Sequence, residues 1–145
     1  MTIPSGATVT IDPGATLKFY PNVSFTANGV LNVSGTSSQP VTLTTNDEPS
    51  HWGSIVLNGS GANGSTISYA NIQYGTEVDV TNANNVTIQH CNITNNSGHG
   101  IYLYSSSNCL MQINTIANSN VNHGIRMEVK SQFLCKIIEG HAASL

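Results

Sequence analysis

Ser65-Thr66-Ile67-Ser68-Tyr69-Ala70-Asn71-Ile72, Val86-Thr87-Ile88-Gln89-His90-Cys91-Asn92-Ile93 and Cys109-Leu110-Met111-Gln112-Ile113-Asn114-Thr115-Ile116 are three copies of one pattern. Ile67, Ile88 and Met111 stand 21 and 23 residues apart, and Ile72, Ile93 and Ile116 keep the same steps. A third column runs through Val78, Ile101 and Ile125, with Val80, Leu103 and Met127 two positions further on. A unit this short cannot bury its own apolar face, so successive copies must stack on one another as a solenoid.

Short alternating apolar pairs continue upstream: Val9/Ile11, Leu17/Phe19, Val23/Phe25, Leu31/Val33, Val41/Leu43 and Ile55/Leu57. Each is a period-2 strand signal. Asp12-Pro13-Gly14, Tyr20-Pro21-Asn22, Asn28-Gly29 and Asn58-Gly59 supply the fixed or positive φ of turns between them. No helical periodicity appears before residue 130. Each coil therefore reads as two or three short strands, and stacking at about 4.8 Å per rung makes parallel sheets along the solenoid.

Composition narrows the function classes. Of 145 residues only 8% are charged, against roughly 25% in ordinary globular proteins. Four basic residues spread along the chain cannot neutralise a run of phosphates, so a nucleic-acid partner is not expected. No apolar stretch approaches the roughly 20 residues that cross a bilayer, so no membrane partner is expected either. Met1-Thr2-Ile3-Pro4 does not open a basic-then-apolar signal peptide. The three cysteines fit no metal motif, and Cys91 and Cys109 fall in different columns, which favours packed free thiols over a disulfide.

The segment from Asn85 to Leu103, with its Thr87-Ile88 strand and Asn95-Asn96-Ser97-Gly98-His99-Gly100-Ile101-Tyr102-Leu103 turn and strand, resembles the right-handed parallel β-helix proteins of the pectate-lyase-like superfamily. The opening Ile3-Pro4-Ser5-Gly6-Ala7-Thr8-Val9-Thr10-Ile11-Asp12-Pro13-Gly14 is similar to the first coils of secreted bacterial members. The resemblance covers about residues 2 to 129. It implies an all-β, right-handed, single-stranded parallel β-helix of five to six coils, secreted or at the cell surface, with polysaccharide as the partner class. The repeat encodes scaffold rather than activity.

Beyond Val129 the pattern stops. Phe133, Leu134, Ile137 and Ile138 take helical spacing, so residues 130 to 145 are expected to form a C-terminal cap over the open end of the 2 to 129 solenoid. A dimer contact and a tail unrelated to the scaffold are the other readings of this segment.

The register also sorts faces. With Val78, Ile101 and Ile125 inward, Glu77 and Asp79 point outward, followed on the next rungs by Tyr102 and Tyr104, then Arg126 and Glu128. His99 and His123 precede the lower two strands, and Gly100 and Gly124 are expected to leave a shallow groove beside them. Tyrosine rings suit sugar C–H faces, while Glu77, Asp79, Arg126, Glu128 and the histidines suit hydroxyls or a uronate. The same residues also read as ordinary strand tyrosines solvated by neighbouring charge. Catalysis is a stricter matter. Glu77 and Asp79 sit about 6.8 Å apart on one strand, within the inverting range of about 6.5–9.5 Å. Their side chains project in parallel and do not flank a bond. The resemblance implies clefts holding several Asp or Arg/Lys residues, and this chain lacks such a cluster.

The expected function is thus a non-catalytic module, carbohydrate-binding or structural, with no catalytic residues, metal or cofactor. A polysaccharide lyase or hydrolase (or a fragment of one) is the first alternative, and a solenoid associating end to end is the second. Among other residues, Trp52 is expected to pack at the solenoid edge and His90 to fill an outward position. Asn71 and Asn92, one rung apart, are expected to form a structural hydrogen-bonded ladder.

Overall fold

In the computed structural model, which describes residues 1–118, 124–128 and 136–138, the chain winds through successive three-stranded coils. The first coil holds β1 (Thr2–Ile3), β2 (Thr8–Ile11) and β3 (Thr16–Phe19). The second holds β4 (Phe25–Ala27), β5 (Val30–Ser34) and β6 (Val41–Thr45). The third comprises β7 (Ile55–Asn58), a 3-10 turn at Ser60–Ala62, β8 (Thr66–Ser68) and β9 (Ala70–Gln73). Then come β10 (Val78–Thr81), β11 (Thr87–Gln89) and β12 (Asn92–Thr94), and β13 (Ile101–Tyr104), β14 (Leu110–Gln112) and β15 (Thr115–Ala117). A sixth coil begins with β16 (Ile125–Glu128) and β17 (Lys136–Ile138).

Every strand pairs in parallel with its counterpart one coil away, giving three sheets. Sheet A runs β1-β4-β7-β10-β13-β16, sheet B runs β2-β5-β8-β11-β14-β17, and sheet C runs β3-β6-β9-β12-β15. The core is a set of vertical columns. Leu17, Leu43, Ile72, Ile93 and Ile116 stack down sheet C. Ile11, Val33, Ile67, Ile88, Met111 and Ile137 stack down sheet B. Phe25, Ile55, Val78, Ile101 and Ile125 do so down sheet A. Most of these side chains are fully buried, which is why a period-2 pattern of single apolar residues suffices to specify each strand.

The coil turns its corners at single residues of positive φ. Tyr69, His90 and Ile113 (φ 49, 53 and 51) bend the chain from sheet B into sheet C on successive rungs. Tyr74, Asn95 and Asn118 (φ 55, 57 and 54) end sheet C. Gly64, Asn85 and Asn108 precede sheet B in the same conformation. Glycine and asparagine tolerate it, whereas other residues meet a steric cost of roughly 1–2 kcal/mol.

Buried backbone amides between rungs are met by asparagine side chains. Asn63 Oδ1 accepts from Asn84 N (2.7 Å), and Asn84 Oδ1 accepts from Ser107 N (2.8 Å). Asn96 Oδ1 accepts from Gly75 N (3.0 Å), and Asn114 Oδ1 accepts from Cys91 N (2.9 Å). The ladder therefore exists, but Asn71 and Asn92 are not its members. They are register partners on the outward side of sheet C, and their side chains bond to none of the described residues. The alternation of β9 and β12 turns these amides outward, away from the turns where backbone groups need partners.

Trp52 is buried in the segment joining sheet C to sheet A, stacked on Phe19 with centroids 4.5 Å apart. Its Nε1 donates to Gln73 O at 2.8 Å. Cys91 is a buried free thiol and Cys109 is likewise buried, while Cys135 lies outside the described residues. Burial pushes the Cys91 thiol up to about 11, so it packs as a neutral group.

At the lower end one expectation is corrected. Ile137 and Ile138 belong to β17, which pairs with β14, and not to a helical turn. The open edge of β14 offers unpaired backbone groups, and strand pairing satisfies them where local helical spacing does not. The rest of the expected cap lies outside the described residues.

The sheet C column sets a stability prediction. Ile72→Ala opens a cavity between Leu43 and Ile93 and is expected to cost about 2–5 kcal/mol by urea denaturation. A loss below roughly 1 kcal/mol would show that the column is not close-packed.

Candidate functional site

The outward side of sheet A gathers four of the chain's eleven charged residues, Glu77, Asp79, Arg126 and Glu128. Asp79, Tyr102 and Arg126 form one vertical column, and Thr81, Tyr104 and Glu128 form the next. Their inward alternates, Val78, Val80, Ile101 and Leu103, are fully or almost fully buried, which fixes the face on which the polar set must lie.

The rings are near-parallel. His99 and Tyr102 have centroids 6.0 Å apart at 20°, and Tyr102 and Tyr104 have centroids 6.5 Å apart at 17°. Tyr102 donates its hydroxyl to Glu128 Oε2 (3.1 Å), and Arg126 pairs with Glu128 through Oε1. These two hydrogen bonds hold the exposed Glu128 carboxyl below its ordinary range. The Tyr102 hydroxyl is shifted upward, by partial desolvation first and then by its bond to Glu128. Glu77 Oε2 accepts from the His99 backbone N at 3.3 Å, tying the start of β13 to the rung above.

Glu77, Gly98, His99, Tyr102, Arg126 and Glu128 line one open cleft of about 280 Å³. Five of the expected ligand-binding residues thus meet at one place. Asp79 and Tyr104 flank it as neighbours of Tyr102, and His123 lies outside the described residues. The groove-forming glycine differs from expectation. Gly98 lines the cleft, whereas a Cβ on Gly100 would meet the Ile116 side chain at 2.4 Å and Gly124 O at 2.5 Å. Gly100 is therefore required by packing beneath the strand and opens no groove outside it.

A second cleft, of about 360 Å³, lies at the corner between sheets B and C. Tyr69, His90, Asn71 and Asn92 are among its lining residues, together with Ser37 and Thr115. From sequence His90 reads as an outward filler because it aligns with Tyr69 and Ile113. The signal the sequence held was three bulky residues in register, Tyr69, His90 and Ile113, at one corner, whereas most of the other positive-φ positions carry Gly or Asn.

Compared with known proteins, residues 6–142 match the family described as right handed beta helix region. The chain belongs to the right-handed beta helix family. That membership agrees with the resemblance to pectate-lyase-like proteins and with the three parallel sheets. Neither a curated protein nor a solved structure matches the chain.

Asp79 offers a test of the site's electrostatics. Burial raises its carboxyl pKa, while the 2.6 Å hydrogen bond from Thr81 Oγ1 opposes the rise. The folded state therefore holds the proton more tightly than the unfolded chain does. Charged Asp79 lowers stability progressively as pH rises above the ordinary carboxylate value near 3.9, and the effect is complete above its folded value. Asp79→Asn, whose amide oxygen still accepts from Thr81, is expected to raise the melting temperature at pH 7. The gain should fade as the pH approaches about 3. A gain that persists unchanged in acid would assign the effect to packing.

Proposed function

We propose that this β-helix is a non-catalytic carbohydrate-binding module whose site is the outer face of sheet A. The observation that carries the reading is the meeting of His99, Tyr102, Arg126, Glu128 and Glu77 in one open cleft beside a third ring, Tyr104. The near-parallel rings provide apolar surface for the C–H faces of sugars. Carboxylates beside the rings accept pairs of adjacent hydroxyls through charge-assisted hydrogen bonds.

Charge selects among sugars. Glu77, Asp79 and Glu128 stand against one guanidinium, and Arg126 is already paired with Glu128. A uronate would meet net negative potential here, so neutral or amino-bearing saccharides suit the face better. Placement at a secreted or cell-surface location belongs to the same proposal and rests on the resemblance to secreted members.

A broad glycan array probed with wild type and with the Tyr102→Ala/Tyr104→Ala variant tests the site. Wild-type binding to a saccharide class is expected, with at least tenfold weaker binding by the variant, or about 1.4 kcal/mol. Equal binding by both proteins would remove the two tyrosine rings from the site, and no binding by either would remove the function.

End-to-end self-association is a second reading with its own support. Met127 and Ile137, at the lowest described rung, are 42% and 43% exposed. Sedimentation across a hundredfold concentration range should then show mass increasing with concentration, whereas a constant monomer mass would sink it.

A further inference from the structure

We infer that the corner between sheets B and C is a second and separate binding groove, shaped for an extended neutral glycan lying parallel to the solenoid axis. The inference does not rest on the site proposed for sheet A.

Three observations carry it. The first is the state of the amides. Asn63, Asn84, Asn96 and Asn114 spend their side chains on backbone groups of neighbouring rungs. Asn71 and Asn92, directly above one another in register, commit theirs to none of the described residues and line the cleft instead. An amide presents a donor and an acceptor side by side, which matches vicinal hydroxyls of a pyranose.

The second is the corner backbone. Tyr69 and His90 occupy positive φ, a conformation that costs bulky residues free energy, and their rings stack with centroids 4.5 Å apart and planes 4° from parallel. The stacked pair presents ring edges, the Tyr69 hydroxyl and the imidazole nitrogens as one wall, with Ser37 of the β5–β6 connection above and Thr115 below.

The third is the match of spacing and charge. Thr16, Thr42, Asn71, Asn92 and Thr115 form one unbroken outward column of neutral hydrogen-bonding side chains down sheet C. They repeat at about 4.8 Å per rung. A sugar unit in an extended β-1,4-linked chain advances by a similar distance and is turned over relative to the one before, so every second sugar meets equivalent partners two rungs apart. Among the described residues, no carboxylate, lysine or arginine lines the cleft. An acidic glycan would find no counter-charge there, and desolvating its carboxylates would oppose binding.

The test is a titration of the full ¹⁵N-labelled chain with cellohexaose, xylohexaose and mannohexaose, with hexagalacturonate as the charged control, followed by amide chemical shifts. At least one neutral hexasaccharide is expected to give saturating shifts at residues 69–72 and 90–93 by about 10 mM ligand. Its affinity should be independent of salt, and hexagalacturonate should leave these amides unmoved. Asn71→Ala/Asn92→Ala should weaken binding at least tenfold with a dispersed spectrum. Thr115→Trp, which fills the groove from an exposed position, should do the same should the double variant fail to fold. Tyr102→Ala/Tyr104→Ala should leave these shifts intact, which separates this groove from the sheet A face. Absence of saturating shifts with all three neutral ligands, shifts confined to sheet A, or undiminished binding by a folded groove variant would overturn the inference.

Discussion

Backbone hydrogen bonds in this molecule run almost entirely between one coil and the next, so each coil must return to its starting phase within one rung height. That closure condition governs everything else. Sheet A, sheet B and sheet C extend as parallel ladders because each strand re-enters in register with the strand one rung away, and in the lower coils single residues of positive φ turn the corner between sheets B and C on rung after rung. A slip of one residue in the pairing of a strand would turn its side chains to the opposite face. Such a slip in β9 would take Ile72 out of the core column it forms with Leu43 and Ile93. Stability and surface chemistry are thus set by the same register.

Sequence revealed the inward half of this register almost completely. Ile67, Ile88 and Met111, or Val78, Ile101 and Ile125, are vertical neighbours as their spacing implies, because a buried column tolerates only apolar residues and leaves a plain periodic trace. The outward face of sheet A was legible for a related reason. Once Val78 is inward, Asp79 must be outward, and charge is scarce enough in this chain for a cluster to stand out. What sequence hid was the allocation of interchangeable polar residues. Asn84 and Asn92 look alike in a chain rich in asparagine, yet one bonds Ser107 across a turn and the other faces a cleft. Only its place relative to the corner distinguishes the two. Gly98 and Gly100 raise the same difficulty, since one borders open space and the other sits against Ile116. At Ile137 a local helical spacing was overruled by the open edge of β14, a tertiary effect that no short window contains.

The distribution of polar groups gives the solenoid two unlike surfaces. On sheet A, charge-assisted bonds from Tyr102 and Arg126 hold Glu128 in place, so part of the hydrogen-bonding capacity is already spent within the protein. On sheet C the amides of Asn71 and Asn92 are unspent, and the fixed elements are the backbone corner and the stacked rings beside them. These represent different ways of preparing a surface for a hydroxylated ligand. The first orients strong acceptors in advance and restricts which charges approach, whereas the second offers weaker groups at a regular pitch.

Regular pitch matters because a solenoid adds to its surface one rung at a time. A ligand whose own repeat departs from the rung spacing accumulates misfit with every rung it crosses, so column sites reward short ligands of arbitrary repeat or long ligands of matching repeat. Sheet A, where the chemistry changes from Asp79 to Tyr102 to Arg126 down a single column, is built for the first kind. The Thr16-to-Thr115 column, where every rung offers a neutral group of similar reach, is built for the second. On the proposed reading, stacking geometry applied to two different outward sequences would separate local recognition on one face from repetitive recognition on another.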